Sequence, residues 1–135
     1  MKSPEEIVEL MLSNDKFSQW IGLKITAIDK GICEATCTTK SDMLNGFDIV
    51  HGGITYSISD SLLAFASNAY GYKCVSIETS ISHTRSVKVN EILTAKCTEI
   101  NRGKTIGIYN VDIFDETNKL VSKFKGSVFV SEEKW

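Results

Sequence analysis

Residues 51–70 read HGGITYSISDSLLAFASNAY, and the architecture turns on this stretch. Ile54, Ile58, Leu62, Phe65 and Ala69 recur at helical spacing, Leu63 and Ala66 widen the stripe, and Gly71 follows as a natural stop. The spacing predicts a long helix over about 51–70. Its apolar arc is too wide for a surface helix, and its polar positions are mostly small, so it is expected to be enclosed by other elements.

Upstream, Ser3-Pro4-Glu5-Glu6 combines an N-cap serine, a proline at the first helical position and a glutamate three residues on. With Ile7, Leu10 and Met11 at helical spacing, and Phe17 beyond them, this predicts an opening helix over about 4–15. The period then changes to alternation. Leu23, Ile25 and Ala27 fall on one side, the turn Asp29-Lys30-Gly31 follows, and Ile32 leads through Ala35, Cys37 and Thr39, as in an antiparallel hairpin. Residues 40–50 read as loop. Downstream of Cys74 come alternating segments around Val75–Ile81, Ile92–Ile100, Thr105–Phe114 and Leu120–Val130, punctuated at Val89-Asn90-Glu91, Asn101–Lys104 and Asp115–Asn118. The expected class is α+β, with one strongly curved antiparallel sheet around one helix. Residues 1–135 are expected to form a single domain.

Composition removes several function classes. A formal charge of -2 without long runs of one sign leaves no footprint for nucleic acid or an anionic membrane. No apolar run reaches the roughly 20 residues of a membrane span, and residues 1–6 lead into an amphipathic pattern rather than a signal-peptide core, so a cytoplasmic location is expected. Cys33, Cys37, Cys74 and Cys97 form no C-x-x-C pair and have no histidine at ligand spacing; they read as buried small hydrophobes, with no metal site.

Two features carry chemistry. His51-Gly52-Gly53 opens the long helix, where unpaired N–H groups can bind or polarise an oxygen; a capping histidine in a glycine-rich turn is the plain alternative. Asp60 lies two residues before Leu62 on a largely apolar helix, where a carboxylate is costly to desolvate unless it faces a cavity or partner; an exposed helical aspartate is the alternative. His83, in an extended segment, reads as structural or solvent-facing. Gly52 and Asp60 are eight residues apart, about 12 Å along a helix axis, so one carbonyl can hardly meet both. If they cooperate, the second group comes from another subunit across a two-fold axis.

Asn45 and Gly46, His51-Gly52-Gly53, Asp60, Arg102-Gly103-Lys104-Thr105 and the closing Leu120–Gly126 together resemble the hotdog-fold acyl-CoA thioesterases of the phenylacetate-pathway (PaaI-like) kind, over about Trp20–Phe129. The resemblance implies a helix wrapped by a curved sheet, homodimers with a continuous sheet and a dimer-of-dimers tetramer. It implies hydrolysis of a small acyl-CoA, an aromatic one among the candidates, with no cofactor beyond the coenzyme A of the substrate. Carried over position by position, Gly52 polarises the thioester carbonyl, Asn45 positions water or thioester, and Asp60 of the partner acts as general base or nucleophile. Ser76 orients the attacking water, while His51 and Gly53 shape the loop on the substrate. Arg85, Lys88, Arg102 and Lys104 are the candidates for the CoA phosphates, although relatives often carry proline where Ser86 stands. Two other readings keep the same fold: a hotdog hydratase or dehydratase, which wants a histidine aimed at substrate, and a non-catalytic acyl-CoA-binding protein.

Overall fold

The computed structural model describes all of residues 1–135. Helix α1 (Pro4–Asn14) begins on the expected capping box: the Glu6 N–H donates to Ser3 Oγ at 3.2 Å, and the Ser3 N–H donates to Glu6 Oε2 at 2.8 Å. A second short helix, α2 (Lys16–Ile21), follows at once. It went unseen in the sequence because one residue ends α1 and starts α2. Asp15 accepts the Ser18 N–H at 3.0 Å and the Ser18 hydroxyl at 2.6 Å, turning the axis and leaving Phe17 exposed. Gly22, at φ 79°, closes α2 in the left-handed region.

Strands β1 (Lys24–Asp29) and β2 (Ile32–Thr38) form the expected hairpin. The phase within β1 differs from simple alternation. Register passes from Ile25 opposite Ala35 to Ala27 opposite Glu34, so one extra residue bulges out of β1. The inward side therefore moves from Ala27, which is exposed, to Ile28, which packs against the core.

Helix α3 (Gly52–Asn68) occupies the predicted stretch, and Ile58, Leu62, Leu63, Phe65 and Ala66 are fully buried. Each large apolar side chain buried here stabilises the fold by about 1.5–3 kcal/mol relative to exposure. The remaining strands are β3 (Tyr72–His83), β4 (Ile92–Arg102), β5 (Ile106–Phe114) and β6 (Leu120–Lys134). The sheet has six antiparallel strands in the order β1-β2-β4-β5-β6-β3, and α3 touches every one of them. Gly126 on β6 lets helix and sheet approach closely, since a Cβ there would stand 2.6 Å from Leu63 Cδ2.

The placement of β3 matters most for the site. Although it follows α3 directly in the chain, it pairs only with β6, and its other edge is open. A register shift between Ser76 and Glu78 interrupts its alternation, and Val75 and Ile77 stand 63% and 56% exposed. A long open edge carrying exposed apolar residues is what soluble proteins ordinarily cover. No helix is long and apolar enough to cross a membrane.

Candidate active site

The segment before α3 folds back on itself. Leu44 and Val50 form a bridge, His51 N–H donates to Met43 O at 2.8 Å, and Val50 N–H donates to Val87 O at 2.8 Å, which ties the turn to the β3–β4 connection. Inside it, Asn45 Oδ1 accepts the Phe47 N–H at 2.8 Å and Asp48 adopts φ 58°. The Asn45 side-chain oxygen thus holds the turn. Its amide N–H₂ has no partner within the chain, and Asn45 lines the neighbouring cavity.

At the helix start, His51 is the N-cap, and its Nδ1 accepts the Gly53 N–H at 2.8 Å. Gly53 was expected among the substrate contacts, but its N–H is already taken, so it cannot serve as a free donor. The Gly52 N–H is different. As the first residue of α3 it has no carbonyl one turn back, and nothing else in the chain accepts from it. Gly52 and Asn45 line one cavity of about 420 Å³, walled on its other side by His83, Arg85 and Val87.

Two turns further along, Asp60 lines a separate cavity of about 240 Å³ together with Ala64, Ser67, Cys74, Val75 and Ser76. Its carboxylate is half-buried and makes no hydrogen bond or ion pair within the chain. Desolvation raises its pKa above the ordinary 3.8, and the nearby charge of Asp15 raises it further. Ser76 reaches the same space from β3, so the fold brings these two residues together while keeping both apart from Asn45 and Gly52. Val75 and Ser76, in the wall of this second cavity, belong to the edge strand β3.

The basic residues divide. Arg85 lines the Gly52 cavity, where its Nε pairs with Asp115 Oδ2 at 2.8 Å while the side chain stays 45% exposed. Asp115, buried at the β5–β6 turn, is held down at a pKa of about 2 by the Thr117 hydroxyl first, then by backbone N–H groups and Arg85. Lys88 is exposed just beyond Val87. Lys104 sits elsewhere, in a cavity with Tyr72, Val130 and Lys134. Arg102 turns inward, against the expectation of a phosphate contact. Its guanidinium donates to Ser67 O and Tyr109 Oη, both at 2.9 Å, and stacks 4.2 Å from the Tyr70 ring centroid. With both tyrosine hydroxyls donating to Glu99, this is an internal polar network beneath the end of α3.

His83, read from the sequence as structural or solvent-facing, is exposed and also lines the Gly52 cavity. Its ring lies against Gly52, where a Cβ would stand 3.0 Å from His83 Nε2, so this histidine is one reason position 52 has no side chain. The two residues are 31 positions apart, and only the pairing of β3 brings the end of that strand over the helix start. The absence of proline after Arg85, noted in the sequence, falls in this same wall.

The thioesterase-superfamily family model matches residues 47–122, more than half of the chain, from within the turn through α3, β3, β4 and β5 to the first residues of β6. The chain belongs to the thioesterase superfamily. Among superfamily relatives, it is 32% identical to the acyl-coenzyme A thioesterase PaaI of Escherichia coli over 86% of this chain and 83% of that one. A putative esterase of Archaeoglobus fulgidus is 30% identical, covering 93% of this chain and 81% of the relative. The solved structure of Escherichia coli PaaI superposes with a TM-score of 0.94 at 28% identity, covering 97% and 95% of the two chains. The superfamily's hotdog fold, a long helix wrapped by a curved antiparallel sheet with an N-terminal helix packed beside it, is therefore the fold of this chain.

Proposed function

We propose that this thioesterase-superfamily chain hydrolyses acyl-CoA thioesters to the free acid and coenzyme A, acting as a single catalytic domain over residues 1–135. The observation that carries this reading is the half-buried Asp60 carboxylate, which has no partner in the chain yet lines a cavity with Ser76 at an open sheet edge. A buried charge without a partner is expensive and is retained where chemistry uses it.

The working site is composite. Asn45 and the free Gly52 N–H of one subunit face Asp60 and Ser76 of the other, brought together when two β3 edges pair and bury Val75 and Ile77. A tetramer would join two such dimers. A water oxygen attacks the thioester carbonyl carbon and Asp60 takes its proton, or Asp60 itself attacks; either way the carbonyl oxygen gains negative charge against the Gly52 N–H. The C–S bond then breaks and coenzyme A leaves as its thiolate; where Asp60 is the nucleophile, water then hydrolyses the acyl–Asp60 anhydride, releasing the acid and restoring the carboxylate. Asn45 Nδ2 holds the acyl group or the water. Arg85 and Lys88 are the candidates for CoA phosphates, Lys104 would reach them only by way of another subunit, and Arg102 supports the fold. Ala64 and Ser67 leave space beside α3 for a small or aromatic acyl group.

Purified protein assayed on short, long and aryl acyl-CoAs should release free thiol, and Asp60→Ala should lower kcat by about 10². Unchanged turnover in that variant removes Asp60 from the mechanism; acyl-CoA recovered intact after long incubation with the unaltered protein refutes hydrolysis itself.

A further inference from the structure

The Gly52 cavity holds a second polar group, the His83 ring, beside the start of α3. In the first turn of a helix both the free N–H groups and the Cα–Cβ directions lean toward the N-terminus. His83 Nε2 stands 3.0 Å from the position a Gly52 Cβ would take, with Cε1 at 3.3 Å, so this edge of the ring flanks the side from which the unpaired Gly52 N–H is approached. The ring is exposed in the isolated chain and lines the same cavity as Asn45 and Gly52. No hydrogen bond within the chain uses Nε2.

The other ring nitrogen is governed by Thr55. Thr55 Oγ1 lies 3.1 Å from Gly52 O and 3.4 Å from His83 Nδ1, so a rotation of one hydroxyl decides which of the two receives its proton. When Thr55 donates to Nδ1, the neutral imidazole carries its proton on Nε2, the nitrogen beside Gly52. Thr55 is itself buried and sits one turn along α3, so the relay is fixed by the helix that supplies the Gly52 N–H.

We propose that His83 is a further catalytic residue: with Thr55 holding Nδ1, its Nε2–H donates a second hydrogen bond to the thioester carbonyl oxygen alongside the Gly52 N–H. This rests on the hydrolytic reading above. His83 transfers no proton. As the attacking oxygen bonds to carbon, the C=O electron pair moves onto an oxygen held by two donors; it returns as C–S breaks and the thiolate departs. A donor on a side chain, rather than on backbone alone, also makes this half of the site accessible to substitution without disturbing α3.

The test uses His83→Phe and His83→Gln in the full-length protein, each checked for unchanged thermal melting and oligomeric state, on the best acyl-CoA substrate. Phenylalanine keeps the ring shape and loses both nitrogens; glutamine loses the ring and keeps an N–H donor near the Nε2 position. His83→Phe should lose about 10² in kcat with little change in KM, and His83→Gln should recover much of that loss. A role in packing alone gives the opposite order, with phenylalanine the milder change. Wild-type kcat in His83→Phe, or His83→Phe at least as active as His83→Gln, overturns the assignment while leaving hydrolysis intact. Absence of turnover in the unsubstituted protein refutes the hydrolytic reading and this role with it.

Discussion

If each site takes Gly52 from one subunit and Asp60 from the other, two inactive chains should restore activity to one another. Gly52 opens α3 and Asp60 lies eight residues on, about 12 Å along the axis at 1.5 Å per residue, and the two line different cavities. Gly52→Ala places a methyl group 3.0 Å from His83 Nε2, in the space meant for the carbonyl, while a helical alanine is intrinsically favoured over glycine by up to about 1 kcal/mol. That variant should fold and fail to turn over. Asp60→Ala should do the same for the opposite half. Refolded together at equal amounts, random pairing makes about half the dimers mixed, and each mixed dimer holds one intact site of two. The mixture should recover about a quarter of wild-type specific activity, where either parent alone has about a hundredth. Thiol release before and after co-refolding is the assay, with sizing to show that dimers formed. Mixed dimers no more active than the parents' mean, or a monomeric wild-type protein with full activity, would refute a site shared between subunits.

Two further outcomes follow from Asp60 and from the core. A base must be ionised to work, so kcat should rise with pH through a value above the ordinary 3.8 of an aspartate, because desolvation and Asp15 both favour the protonated form. Asp15→Asn keeps a side-chain oxygen for capping Ser18 and removes the charge, so the acidic limb of a kcat–pH profile should move to lower pH; an unmoved limb removes Asp15 from the account. The same raised pKa means that the folded chain loses stability as pH rises through it, so Asp60→Asn should melt higher than wild type at neutral pH. In the core, Gly126→Ala sets a Cβ 2.6 Å from Leu63 Cδ2 and 3.0 Å from Phe124 Cε1, at the helix–sheet contact. Overpacking of this kind costs about 1–3 kcal/mol, a drop of several degrees in Tm, and an unshifted melt would show that α3 is not seated against β6 as described.

The elements legible in the sequence are those governed by neighbours along the chain. The capping box at Ser3 and Glu6, the stripe from Ile54 to Ala69 and the turns at Gly31, Asn90 and Asn118 depend on periodicities and backbone preferences within a few residues. The stripe placed α3, and the helical rise per residue by itself separates Gly52 from Asp60. Local signals mislead where two of them overlap. Asp15 serves as an end and a beginning, which hid α2, and the extra residue in β1 moved the inward side from Ala27 to Ile28.

What one residue means to another far along the chain was decided only by tertiary structure. Periodicity cannot report which strand neighbours which, and β3 leaves α3 to pair with β6 at the edge of the sheet. That pairing carries Ser76 to Asp60, lays His83 against Gly52 and leaves Val75 and Ile77 uncovered. Arg102 likewise reads as a surface charge until Ser67, Tyr70 and Tyr109 close around it. The sequence by itself determined the helix, the hairpin and the family motif, because those are properties of spacing. Which groups remain without partners around that helix was decided by the folded sheet, because only there do desolvation and contact act on residues distant in the chain.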